Sequence, residues 1–78
     1  MSTLIWQCCT LLMNIEPTEG YNPIRVLIRK KKDRESIYSV RIGSYFPEEK
    51  EILVDSGDDD WIETEYLNLY EYVMVKDL

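Results

Sequence analysis

Apolar positions recur along this chain in short runs, and their period differs from run to run. In residues 24–29, Ile24, Val26 and Ile28 alternate with Arg25, Leu27 and Arg29, the two-residue period of a strand with one buried face. After a polar stretch the alternation resumes, with Tyr38, Val40, Ile42 and Phe46 on one side and Ser39, Arg41 and Gly43 on the other. Together the runs predict an antiparallel hairpin with Lys32, Asp33 and Arg34 near its tip. No glycine fixes the turn type there, so the register stays open by about two residues. Pro47, Glu48 and Glu49 predict a second turn and Ile52-Leu53-Val54 a short strand, ended by the polar run from Asp55 to Asp60.

The two ends of the chain carry mixed signals. Leu4, Cys8, Leu11, Leu12 and Ile15 make a helical stripe, yet the same run is continuous enough for a short buried strand, and its Thr, Ile, Trp and Cys content favours the strand. Residues 16–23 form a loop held by Pro17 and Pro23 and eased by Gly20. In the tail, Ile62, Tyr66, Leu69 and Val73 stand at helical spacing, while the aromatic and β-branched content favours strands. The preferred reading splits the tail into a strand at 61–64, a one-turn bend at 65–68 and a strand at 70–75. The expected fold is therefore all-β, one domain over residues 1–78. It is a small antiparallel barrel or strongly twisted sheet of five to six short strands, SH3-like or OB-like. Ile24, Val26, Ile28, Tyr38, Val40, Ile42, Ile52 and Val54 are its expected core, with one face of the tail. The alternative is α+β, with a C-terminal helix on a small antiparallel sheet.

Composition narrows the chemistry. A chain of 78 residues hides only about 60% of its unfolded surface, which leaves little room for both a core and a deep catalytic cavity. There is no histidine, and Gly20, Gly43 and Gly57 lie too far apart for a phosphate-cradling loop. A calcium loop starting at Asp55 places Gly57 at its third position, and one starting at Asp58 places Ile62 at its fifth, so the spacing fails. No metal, cofactor or catalytic residue is expected, and the chain reads as a non-enzyme. Cys8 and Cys9 are neighbours whose bridge would close almost no loop, so they read as two reduced thiols, one facing inward. No Lys or Arg stands near them in sequence to activate a thiolate. The N-terminal run has no basic leader and is too short to cross a bilayer, which predicts a cytoplasmic protein, of a cell or of an infected host, with no membrane partner.

Charge then divides the chain. Eleven of its 15 acidic residues lie from Glu48 onward, whereas Arg25, Arg29, Lys30, Lys31, Lys32 and Arg34 are opposed over that span only by Asp33. The acidic, aromatic stretch carrying Asp58, Asp59, Asp60, Trp61, Glu63 and Glu65 combines carboxylates with the residue types that anchor interfaces. Its favoured use is to present an acidic face to a basic protein partner, as a small inhibitor encoded by a phage or mobile element would. The basic patch formed by Arg25, Arg29, Lys30, Lys31, Lys32 and Arg34 supports a second reading, a nucleic-acid-binding accessory protein, against which the net charge of −6 counts. A third reading joins the two patches between copies, giving a structural or self-assembling homo-oligomer.

Overall fold

The structure, a computed structural model, describes residues 4–17, 23–56 and 60–78. Six strands make one antiparallel sheet: β1 (Gln7–Cys8), β2 (Ile24–Lys30), β3 (Arg41–Phe46), β4 (Glu51–Val54), β5 (Asp60–Ile62) and β6 (Tyr70–Met74). Their spatial order is β1-β6-β2-β3-β4-β5. Strands β2 to β5 form a meander; the chain then passes through the 3₁₀ segment Thr64–Leu69 and returns as β6, which slots between β1 and β2. The fold is all-β, as the alternation predicts, but the sheet is open. Strands β1 and β5 remain its edges and no ladder joins them among the described residues, so the expected barrel does not close.

The tail divides as its composition predicts, into β5, a 3₁₀ bend and β6, and the alternative of a terminal helix is excluded. Side chains three apart eclipse one another in a 3₁₀ turn. Residues Thr64–Leu69 accordingly carry Leu67 into the core and leave Tyr66 and Leu69 in one exposed row. The N-terminal run obeys the same period. After the two residues of β1 it becomes the 3₁₀ segment Cys9–Asn14, whose inward row is Cys9 and Leu12, continued by half-buried Ile15. The strand expected there is thus only its first step. These two 3₁₀ segments touch and cover the inner face of the sheet. Thr64 ties down the second one by donating to the Lys50 carbonyl at 2.7 Å, across the turn at 47–50. Lys50 itself takes the left-handed conformation, φ 58°, and its N–H donates to the Phe46 carbonyl at 2.8 Å.

The core comprises Cys9, Leu12, Val26, Ile28, Tyr45, Ile52, Ile62, Leu67 and Tyr72. Its register corrects the expected faces of β3. Val26 lies opposite Gly43 and Ile24 opposite Tyr45, while Leu27 lies opposite Ile42. Gly43 and Tyr45 therefore face inward and Ile42 outward, 44% exposed. Strand β3 offers apolar side chains at both parities, and the large Tyr45 ring, fully buried against β4, decides between them. Gly43 suits that face because a Cβ there would stand 2.9 Å from Ile52 Cγ2 and 3.0 Å from the Leu53 carbonyl oxygen. The connection from β2 is also longer than a hairpin tip. It runs through 3₁₀ turns at Lys31–Asp33 and Ile37–Ser39, so Tyr38 is 85% exposed rather than core, and half-buried Val40 precedes the strand.

Candidate functional site

The basic block comes apart in three dimensions. Successive residues of β2 point to opposite faces, which places Arg25 and Arg29 on the outer face and Lys30 on the inner one. Arg25 donates to Asp55 Oδ2 at 2.7 Å and to Ser44 Oγ at 2.9 Å. Arg29 donates to Glu71 Oε1 at 3.1 Å, lies 4.1 Å from the centre of the Trp6 ring and reaches the Arg34 carbonyl at 3.0 Å. Arg34 adds a second contact to Glu71 at 3.4 Å and donates to the Lys31 carbonyl at 3.1 Å. All three arginines of the patch are engaged inside the molecule. They knit the outer face of β2, β3 and β6 together with Trp6 and the turn after β2. Lys30, Lys31 and Lys32 have no carboxylate partner among the described residues.

The described acids of the acidic stretch are exposed to solvent. Asp58 and Asp59 lie outside the described residues. Asp60 opens β5 and accepts a hydrogen bond from Ser56 Oγ at 3.1 Å. Trp61 follows on the outer face, 45% exposed, its ring centre 5.3 Å from that of Phe46 on β3, with Leu53 opposite it on β4. Glu63 and Glu65 flank Thr64 at the start of the 3₁₀ bend, both exposed. The hydrogen bond between their carboxyl groups raises the Glu65 pKa, and the neighbouring negative charge of Glu63 adds to the effect. Among the described residues no ion pair involves Asp60, Glu63 or Glu65.

Two concave features adjoin this edge, and the sequence did not reveal either. A cleft of ≈ 460 Å³ opens on the inner face between the end of β2 and β5. Its floor includes Ile28, Val54 and Ile62, and its rim carries Lys30, Arg41, Asp60 and Trp61. A second groove of ≈ 360 Å³ lies between Lys30, Lys31 and Lys32 on one side and Tyr66, Leu69 and Tyr70 on the other. Lys30 and Tyr70 line both, because they are register partners on neighbouring strands. Lys30 of one patch thus shares a cleft with Trp61 and Asp60 of the other, and Lys31 and Lys32 line the neighbouring groove. The spacing of three between Tyr66 and Leu69 was the available signal for that row, and a helical period masks it.

The thiols differ as their positions dictate. Both are free; Cys9 is buried, and Cys8 is only half-buried beside β6. Thr10 Oγ1 donates to Cys8 Sγ at 3.2 Å and lowers the Cys8 pKa, with the Lys31 ammonium acting in the same direction. Burial pushes the Cys9 pKa up to about 12. Lys31 is remote from the cysteines in sequence, and only the pairing of β6 with both β1 and β2 brings it near. No protein family, curated protein or solved structure matches the chain.

Proposed function

We propose that the chain is a non-enzymatic protein-binding module that docks a basic partner against the edge formed by Asp60, Trp61, Glu63 and Glu65. The supporting observation is an asymmetry of compensation. The arginines of the basic block already hold internal carboxylates, whereas the acids of this edge face solvent with no cation partner among the described residues, two of them sharing a hydrogen bond. Crowded carboxylates gain when a Lys or Arg side chain arrives, since opposite charge favours their ionised form. Trp61, braced by Phe46 and half exposed, supplies the apolar anchor that charge alone lacks. Strand β5 is also an edge, so its backbone can extend the sheet onto an incoming strand. A small inhibitor that occupies a basic groove on another protein is one concrete form of such a module.

The test is a nuclear magnetic resonance titration of the full chain with a set of Lys- and Arg-rich peptides. Shifts centred on residues 60–65, lost in the triple variant Asp60→Lys, Glu63→Lys, Glu65→Lys while circular dichroism stays native, support the reading. Shifts centred elsewhere, or unaffected by the charge reversals, remove it.

A further inference from the structure

We propose that the groove between the Lys30-Lys31-Lys32 segment and Tyr66, Leu69 and Tyr70 binds a nucleotide, with its phosphate on the lysines and its base on the tyrosine and leucine row. The groove is assembled from two stretches more than thirty residues apart in sequence, and pairing of Lys30 with Tyr70 sets them side by side. At ≈ 360 Å³ it falls at the lower end of ligand-site sizes, about 300–1,000 Å³. Its two walls differ in kind. One is lined by Lys30, Lys31 and Lys32, which have no carboxylate partner among the described residues, although the Lys31 ammonium also acts on Cys8; ammonium groups are the point charges that suit phosphate oxygens. The other presents Tyr66 at 50% and Leu69 at 54% exposure, one row of a 3₁₀ turn, as a platform for a base. Exposed aromatic and apolar groups beside lysines that lack carboxylate partners among the described residues fit a ligand that is both anionic and flat.

The surroundings restrict the ligand to a short one. The chain carries −6 overall, and Glu65 precedes Tyr66, so a long polyanion meets repulsion on either side of the groove. Lys30 and Tyr70 also line the larger cleft, whose rim carries Arg41. A free nucleotide and the unpaired end of a strand offer the same chemistry here. This site does not depend on the proposed acidic edge, and charge reversal at Asp60 and Glu63 leaves its walls unchanged.

Titration of the full chain with adenosine monophosphate, and separately with a tetra-adenylate, tests the site by chemical-shift mapping. Binding is expected to shift Lys30, Lys31, Lys32, Tyr66 and Tyr70, and to weaken several-fold between about 50 and 200 mM salt. The double variant Lys31→Ala, Lys32→Ala is expected to weaken it about tenfold through lost phosphate contacts. Tyr66→Ala is expected to cost about five- to a hundredfold through lost stacking, while Tyr66→Phe retains affinity. Lys32 and Tyr66 are exposed and Lys31 is half-buried, and native circular dichroism is the check that each variant folds. Equal affinity for the two ligands assigns the site to free nucleotide, and tighter tetra-adenylate to a strand end; both support the proposal. Absence of saturable binding, shifts outside the groove, or unchanged affinity in the lysine and Tyr66→Ala variants overturns it. So does displacement of the nucleotide by a peptide of residues 60–66, which would assign the groove to an acidic segment of a second copy.

Discussion

At the scale of single residues, Tyr45, Gly43 and Cys9 show the inner face being decided by contact rather than by polarity. Tyr45 is fully buried, and its hydroxyl finds no partner among the described residues. A buried polar group without a partner costs stability, so Tyr45→Phe is expected to stabilise the fold by about 1 kcal/mol in urea denaturation. Gly43 is the opposite case. The methyl of Gly43→Ala would press on Ile52 and the Leu53 carbonyl, and the same measurement is expected to show a loss of about 1–3 kcal/mol. The adjacent cysteines separate by reactivity. Iodoacetamide followed by peptide mass spectrometry should label Cys8 in the native chain and Cys9 only after unfolding, since the first thiol is stabilised as thiolate and the second is buried. Equal labelling under native conditions would refute that assignment. Sequence showed that one thiol faces inward but not which, because adjacent residues on a strand or turn are interchangeable until the partner surface is known.

At the scale of elements, legibility followed the period of the pattern. Strand β2 alternates cleanly and was placed with its faces correct. Strand β3 was found with its faces reversed, since Ile42 and Phe46 compete with Tyr45 for the core and one residue of register exchanges them. The bend at 65–68 was legible as a break between strands, but the N-terminal 3₁₀ segment escaped because a period of three, seen over only six residues, resembles either a helix or a strand. The ion-pair cluster on the outer face was illegible for another reason: its members come from four separate stretches, Trp6, Arg29, Arg34 and Glu71. Glu71 is its pivot, with its side chain 13% exposed and that of Arg29 17%. Glu71→Ala would leave Arg29 largely buried without a carboxylate, and thermal melting is expected to show a loss of about 3 kcal/mol. A change near zero would mean that the cluster is solvated and merely ornamental to stability.

For the molecule as a whole, the division of charge in the sequence turned out to be a division of roles. The arginines hold the sheet together, the lysines border a groove, and the acids face solvent along one edge. Sequence gave the two blocks of charge but no means of knowing which cations were already paired. Ionisation also sets an alkaline limit on the fold. The Cys9 thiol ionises near 9.0 when unfolded and near 12 when folded, so the folded chain holds that proton more tightly. Its contribution to stability is complete below pH 9 and disappears as pH rises toward 12, at a slope of up to about 1.4 kcal/mol per pH unit. Burial raises Tyr45, Tyr70 and Tyr72 in the same direction. Urea midpoints measured from pH 8 to 11 are expected to fall, and to fall less steeply in Cys9→Ala; parallel curves would refute the role of the thiol.

The return of β6 to the centre of the sheet has a kinetic consequence. Strands β2 to β5 can zip together through neighbouring pairings, but β6 must find β2 across some forty residues of chain, and β1 has no ladder until β6 is in place. Assembly therefore has an order, with the meander first, the central strand next and the N-terminal segment last. The same connectivity predicts that unfolding runs backward, β1 and its 3₁₀ cover losing hydrogen-exchange protection first while the meander is still paired.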